Sequence, residues 1–204
     1  MQLADTYTFF LGANKKDWVA YAGTFKTYAD AVKSGRKPLN YYAGLSKVIV
    51  SSTDIDVDDD QAAIAKTAAS NDIAVVATID WSTVRKAEVT GLTGPPQTVE
   101  HRKKGKSWKM TVPSGKKYKW EIEEPKRRWR LCNGDEVIAS FDSYYFWKKE
   151  PGYLKLHGVH DTDTKLLILA SWGLVAKSHF EKSTIDNLNS GAITAGTYGL
   201  VALT

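Results

Sequence analysis

The sequence predicts a mainly β protein, an antiparallel barrel or sandwich with one enclosed apolar segment near the C-terminus. Many short stretches alternate apolar and polar residues, and turn residues separate them. The longest apolar run covers residues 166–176. An element that is apolar on all sides is unstable in water and has to be enclosed. We therefore expect this run to be a helix that plugs the β structure, with a central strand as the alternative.

Aromatic and β-branched runs bounded by turn residues predict the strands of the first half of the chain. Tyr28–Lys33 is predicted as a short helix that stops at Gly35. An acidic stretch at 54–60 and the alanine-rich residues 61–69 predict a short helix or a loop. The predicted strands cover residues 7–11, 18–22, 41–50, 73–81 and 85–89.

The clearest pattern follows residues 91–106, whose glycines and prolines predict a long loop. On both sides of a turn at 113–115, apolar residues alternate with charged ones. This period of two predicts a β-hairpin with one apolar and one charged face. Asn133-Gly134 predicts a second hairpin, because both residue types tolerate positive φ. Strands at 144–147 and 153–156 are predicted to lead to the apolar run.

The composition restricts the class of protein. A single cysteine allows no intramolecular disulfide and excludes a disulfide-stapled secreted domain. The first residues lack a basic region followed by an apolar run, so we expect no signal peptide. The apolar run is shorter than the roughly 20 residues of a membrane span. We expect a cytoplasmic protein, or one attached peripherally to a membrane, with one β-rich domain at 1–182 and a Gly/Thr/Ala-rich tail at 183–204.

Positive charge is concentrated in one segment. The chain carries a net charge of +5, whereas residues 101–130 alone carry +9 and the segments on either side carry −2 each. A concentrated positive field attracts anionic surfaces, although a solvated sheet face would show the same composition. The candidate anionic-ligand residues are Arg102, Lys103, Lys104, Lys106, Lys109, Lys117, Lys119, Arg127, Arg128 and Arg130.

The alternation in the first hairpin favours a membrane surface over nucleic acid as the partner. Aromatic residues that alternate with lysines should face the core, where they cannot stack on nucleobases. Each lysine near an anionic membrane contributes on the order of 1 kcal/mol, so several give a weak, salt-sensitive attachment.

No motif predicts a catalytic residue, a metal ligand or a cofactor. His157 and His160 are spaced three apart, which on a strand places them on opposite faces. The acidic stretch at 54–60 lacks the glycine and the bidentate glutamate of a calcium loop. Cys132 has no base at a spacing that supports a nucleophilic pair.

A family resemblance rests on short stretches in a particular order. They cover residues 78–81, 115–120, 129–131, 137–141, 153–156 and 166–176. In this order and spacing the chain resembles a fungal family of unknown function that is itself similar to tubby-like, LURP-one-related and phospholipid-scramblase-like domains. The resemblance implies a closed antiparallel barrel around a hydrophobic helix. Tubby domains bind phosphoinositides through basic residues, but no individual ligand residue carries over.

We therefore expect a non-enzymatic binding module for anionic lipid or phosphoinositide headgroups. The alternatives are a protein-interaction or structural domain without a lipid role, and an enzyme whose site forms only in three dimensions.

Overall fold

The structure is a computed structural model that describes nine stretches of the chain. They are residues 3–11, 17–43, 47–52, 74–80, 85–102, 107–123, 128–142, 151–158 and 160–194, with the backbone alone described at some positions, including 179–194. The elements are β1 Thr6–Leu11, β2 Asp17–Ala22, α1 Tyr28–Lys33, β3 Leu39–Ala43, β4 Lys47–Ser51, β5 Ala74–Asp80, β6 Arg85–Thr90, β7 Gln97–Arg102, β8 Ser107–Thr111, β9 Lys117–Glu123, β10 Arg128–Asn133, β11 Glu136–Asp142, β12 Gly152–Leu156 and α2 Thr162–Thr194.

The 12 strands form one closed antiparallel barrel. Each strand pairs with its neighbours in the sequence, and β1 pairs with β12 from Thr6↔Lys155 to Phe9↔Gly152. Closure leaves no strand of the sheet with an unpaired edge. The predicted mainly β, antiparallel architecture is confirmed, and of the two predicted forms the barrel is the one observed.

The period-two alternation explains the two faces of the wall. In β8, β9 and β10 the inward side chains include Trp108, Trp120 and Leu131, each exposed by 2% or less. The first predicted hairpin is confirmed by the register Trp108↔Trp120 and Met110↔Tyr118. The charged residues between these positions consequently point outward.

The apolar run is a helix, which settles the alternative between helix and strand. α2 begins at Thr162 and its backbone stays helical to Thr194, inside the segment predicted as a tail. Residues 166–177 are all buried. The Trp172 ring stacks on Phe141 with centroids 3.8 Å apart, and Trp120 Nε1 donates a hydrogen bond of 2.9 Å to Ser171 Oγ.

Neither helix, over the residues that the structure describes, combines the length and apolarity that a membrane-spanning segment needs.

Polar contacts fix the start of α2. Asp161 caps the helix by accepting a hydrogen bond of 2.8 Å from the Thr164 amide. Asp163 accepts hydrogen bonds from Thr93 in the β6–β7 connection. Lys165 Nζ donates to Asp5 Oδ1 over 2.7 Å, and this hydrogen bond lowers the pKa of Asp5. The helix is thus tied to both the N-terminal segment and the barrel wall.

The β2–β3 connection folds back over the outside of the barrel. Thr8 Oγ1 donates to the Gly23 carbonyl over 2.7 Å and accepts from the Phe25 amide over 3.0 Å. Tyr153 Oη donates to the Phe25 carbonyl over 3.1 Å. The Tyr28 ring of α1, a helix confirmed at its predicted position, then packs edge-on against Phe10 with centroids 5.6 Å apart. The outer face of β1 and β2 is therefore covered in part by the chain itself.

Two predictions of secondary structure are wrong. Residues 41–50 were expected to form one strand, but they form β3 and β4, which pair with each other at Tyr41↔Val50. Residues 91–106 were expected to be a loop, but Gln97–Arg102 is β7, which pairs with β6 and β8. The predicted strand at 144–147 and the helix or loop at 61–69 lie outside the described residues.

The second hairpin is confirmed, with its turn one residue later than predicted. Asn133 is the last residue of β10 and pairs with Glu136, so Gly134 and Asp135 form the turn. The register shifts at Leu131/Cys132. Gly134 has φ of 60°, a left-handed conformation that non-glycine residues adopt only at a cost.

Replacing Gly134 with valine is expected to lower the free energy of unfolding by about 1–2 kcal/mol, because a β-branched residue resists positive φ. Chemical denaturation measures the change. The matched control is Gly94→Val, since Gly94 is exposed, has no positive φ, and has open space where a Cβ would lie. Equal stability of the Gly134 variant and the parent would refute the turn assignment.

Candidate functional site

The basic face consists of residues from three adjacent strands. Because their neighbours point inward, these side chains lie on the outer surface, and all are at least partly exposed. The predicted residues brought together here are Lys109 on β8, Lys117 and Lys119 on β9, and Arg128 and Arg130 on β10.

The other predicted residues contribute no described side chain. Arg102 is the last residue of β7, with only its backbone described. Lys103, Lys104, Lys106 and Arg127 lie outside the described residues.

Three cations of the basic face are paired with carboxylates. Lys119 forms an ion pair with Glu121 on its own strand. Arg130 Nη2 lies 2.9 Å from Glu123 Oε2.

Arg128 completes this set by pairing with Asp142 of β11, and the hydrogen bond that it donates raises the pKa of its guanidinium. The side chains of all these pairs are between 29% and 48% exposed, so each pair is worth at most about 1 kcal/mol. Their carboxylates nevertheless cancel much of the local positive field.

Three lysines near the β8–β9 turn remain available. We call Lys109, Lys116 and Lys117 the hairpin lysines; none forms an ion pair within the part of the chain that the structure describes. Lys116 was not among the predicted site residues, although its place beside Gly115 in a tight turn, where the chain must be exposed, was a usable signal.

The register places like charges opposite each other. Lys109 and Lys119 are direct cross-strand partners, and Glu100 of β7 lies on the other side of Lys109. Like charges at directly opposed positions destabilise a sheet. An anion bound at this place would offset that repulsion.

The basic residues do not converge on one point. Lys117 begins β9 near the turn, while Arg128 pairs with Glu123 at the far end of the same strand. At about 3.3 Å per residue, these ends are roughly 20 Å apart. One lipid headgroup therefore cannot contact both, and only an extended surface could.

The barrel interior is filled by side chains. The space between Phe9, Trp18, Tyr41 and Trp172 is too small for a water molecule. Burial raises the pKa of Tyr41 well above its ordinary value, and that of Tyr7 to about 12. This part of the barrel interior therefore has no room for a ligand.

One groove of about 490 Å³ opens on the outer wall at β1 and β2. We call it the outer groove. It lies on a different part of the wall from the basic face, because β12 and β11 separate β1 from β10. Its walls are Phe10, Leu11, Val19, Lys26, Thr27, Tyr28 and Pro151.

The histidine and cysteine positions have structural explanations. His157 Nε2 lies 3.0 Å from Ser140 Oγ, and His160 Nε2 lies 2.6 Å from the His157 carbonyl. Each imidazole thus contacts a different group, and the described residues contain no cluster that could hold a metal ion. Burial raises the pKa of the Cys132 thiol, which disfavours its reactive thiolate.

The comparison with protein families gives one match. The DUF6593 family, described as a family of unknown function, matches residues 46–179, about two thirds of the chain. The match includes β4 to β12 and the first part of α2, whereas β1, β2 and β3 lie before it. Neither a curated protein nor a solved structure matches the chain.

Proposed function

Because this chain belongs to DUF6593, a family of unknown function, we propose its function from its own surface: it is a non-enzymatic binding module that attaches to anionic membranes through the hairpin lysines. The carrying observation is that these three lysines are not neutralised by ion pairs among the described residues, unlike Lys119, Arg128 and Arg130.

The chemistry of the hairpin supports a membrane more than a nucleic acid. The rings of Trp108, Tyr118 and Trp120 are at most 5% exposed, so the hairpin offers nucleobases no aromatic surface for stacking. Three lysines at on the order of 1 kcal/mol each provide a weak, reversible attachment. The resemblance to tubby-like domains, in which basic residues bind phosphoinositides, also supports the proposal.

The enzyme alternative receives less support from the described surface. Among the described residues, the walls of the outer groove carry two titratable side chains, Lys26 and Tyr28, and no carboxylate, imidazole or thiol. General acid–base catalysis most often uses histidine or a carboxylate, so these walls support the enzyme alternative less than a binding role.

The test is co-sedimentation with phosphatidylcholine vesicles that contain phosphatidylserine or phosphoinositide. We expect the parent protein to sediment at 0.1 M salt and to be released at 1 M, as the Debye length falls from roughly 10 Å to 3 Å. A Lys109→Glu/Lys116→Glu/Lys117→Glu variant should remain in the supernatant at both salt concentrations.

The matched control is Lys33→Glu/Lys37→Glu/Lys155→Glu, which changes the net charge equally at exposed positions away from the hairpin. This variant should sediment like the parent. If both variants lose binding to the same extent, net charge alone is responsible and the hairpin has no special role. If the parent stays in the supernatant at low salt, the membrane proposal fails.

A further inference from the structure

The outer groove combines an apolar floor with one cation. Phe10 and Val19 are half-buried on the outer faces of β1 and β2, and Tyr28, which is 53% exposed, forms a side wall. Of the wall residues that the structure describes, Lys26 is the only charged one. Small-molecule sites typically have this composition, mostly apolar and aromatic with a few polar groups, and volumes of about 300–1,000 Å³.

Contacts of the aromatic side chains fix the groove in shape. Tyr28 contacts both Phe10 and Tyr21, with ring centroids 5.6 Å and 6.1 Å apart. Phe10 also contacts Tyr21 at 6.3 Å. The hydrogen bonds of Thr8 and Tyr153 to the backbone at Gly23 and Phe25 hold the preceding segment on the barrel. A ligand would therefore meet a preformed wall, which reduces the entropy lost on binding.

The residues around the groove carry a net positive charge, which favours a ligand with an anionic group. Residues 24–38 carry four cations and one anion, Asp30. Asp30 accepts a hydrogen bond from Thr27 Oγ1 at 2.7 Å, and Arg36 lies over the Phe25 ring, whereas Lys26 forms no ion pair within the described stretches. An apolar body in the groove and an anionic group beside Lys26 complement this arrangement.

We infer that the outer groove is a binding site for an anionic amphiphile of the fatty-acid type, a carboxylate with an aliphatic body. This site shares no residue with the hairpin lysines and binds a single molecule rather than a membrane surface. Its existence therefore does not depend on the proposed membrane attachment.

The first test uses the anionic probe 1-anilinonaphthalene-8-sulfonate and its neutral analogue N-phenyl-1-naphthylamine, which has the same rings. We expect the parent protein to bind the anionic probe more tightly and dodecanoate to displace it. Lys26→Glu should weaken binding of the anionic probe by about tenfold, since reversal removes an attraction and adds a repulsion. Binding of the neutral analogue should change little.

Two further variants separate the groove from its surroundings. Tyr28→Ser shortens the side wall at an exposed position and should weaken both probes, with a circular dichroism spectrum like that of the parent. Lys86→Glu, which reverses an exposed charge on β6 outside both residues 24–38 and the groove walls, should leave both affinities unchanged. Equal binding of the anionic probe by the parent, Lys26→Glu and Tyr28→Ser would overturn the inference. So would failure of dodecanoate to displace the probe.

Discussion

Replacing Trp172 with alanine is expected to lower the free energy of unfolding by about 3–5 kcal/mol, the range observed when a large aromatic is removed from a core. Trp172 is 1% exposed. Its ring stacks on Phe141 at 3.8 Å and lies 5.6 Å from Trp120 and 6.3 Å from Phe9. The surrounding wall is a closed sheet, which cannot collapse far into the cavity left behind. Chemical denaturation followed by far-ultraviolet circular dichroism measures the loss.

The control for this variant is Val32→Ala, because Val32 on α1 is 49% exposed. Its effect should stay within about 0.5 kcal/mol, as for most surface substitutions. A loss below about 1 kcal/mol for Trp172→Ala would mean that α2 is not packed inside the barrel.

Replacing Gly173 with alanine is expected to destabilise the protein by about 1–3 kcal/mol, the usual cost of overpacking a core. In an exposed helix the same change would stabilise by up to about 1 kcal/mol, because alanine is the better helix former. Here a Cβ on Gly173 would lie 2.6 Å from Val48 Cγ1 and 3.4 Å from Tyr41 Cδ1. Gly173 thus permits the close approach of α2 to β3 and β4, and packing outweighs propensity.

A double-mutant cycle isolates this steric contact. Val48→Ala removes the clashing methyl groups but is destabilising by itself, since Val48 is completely buried. The Gly173→Ala/Val48→Ala protein should lose less stability than the two single variants combined, with a coupling of about 0.5–3 kcal/mol. Strict additivity would show that the cost of alanine at 173 does not come from Val48.

The alternation of apolar and polar residues was sufficient to predict those strands whose two faces differ strongly in polarity. The β8–β9 hairpin has tryptophan, methionine and tyrosine on one face and mainly lysine on the other. β7 lacks this contrast, because Val99 is its only aliphatic residue and polar residues surround it. The pairing partners on both sides make it a strand. Residues 166–176 are apolar except for Ser171, so no period distinguishes helix from strand, and enclosure by the barrel decides the form.

Prediction of the candidate sites was limited in the same way, because local pattern does not show which residues meet across strands. Alternation correctly placed Lys109, Lys117 and Lys119 on the outer face. It could not show that Arg128 meets Asp142, because that contact depends on the register between β10 and β11. The outer groove was missed because its residues come from β1, β2, the β2–β3 connection and Pro151, and their proximity depends on how β1 pairs with β2 and β12. The adjacent rings of Phe9 and Phe10 were a usable signal, since one of two consecutive aromatics on a strand has to face outward.

The pairing of β1 with β12 has a consequence for the order of folding. Thr6 and Lys155 are partners although most of the chain lies between them, and α2 follows both. During synthesis at about 5–20 residues per second, β12 is made many seconds after β1, so β1 stays without this pairing partner for that time. Closing the barrel costs loop entropy before the contacts between β1 and β12 can compensate for it. This order is typical of slow-folding, non-local topologies. Until α2 is synthesised, the inward aromatic side chains of the strands have no helix to pack against. A nascent chain therefore exposes an apolar surface that chaperones can bind.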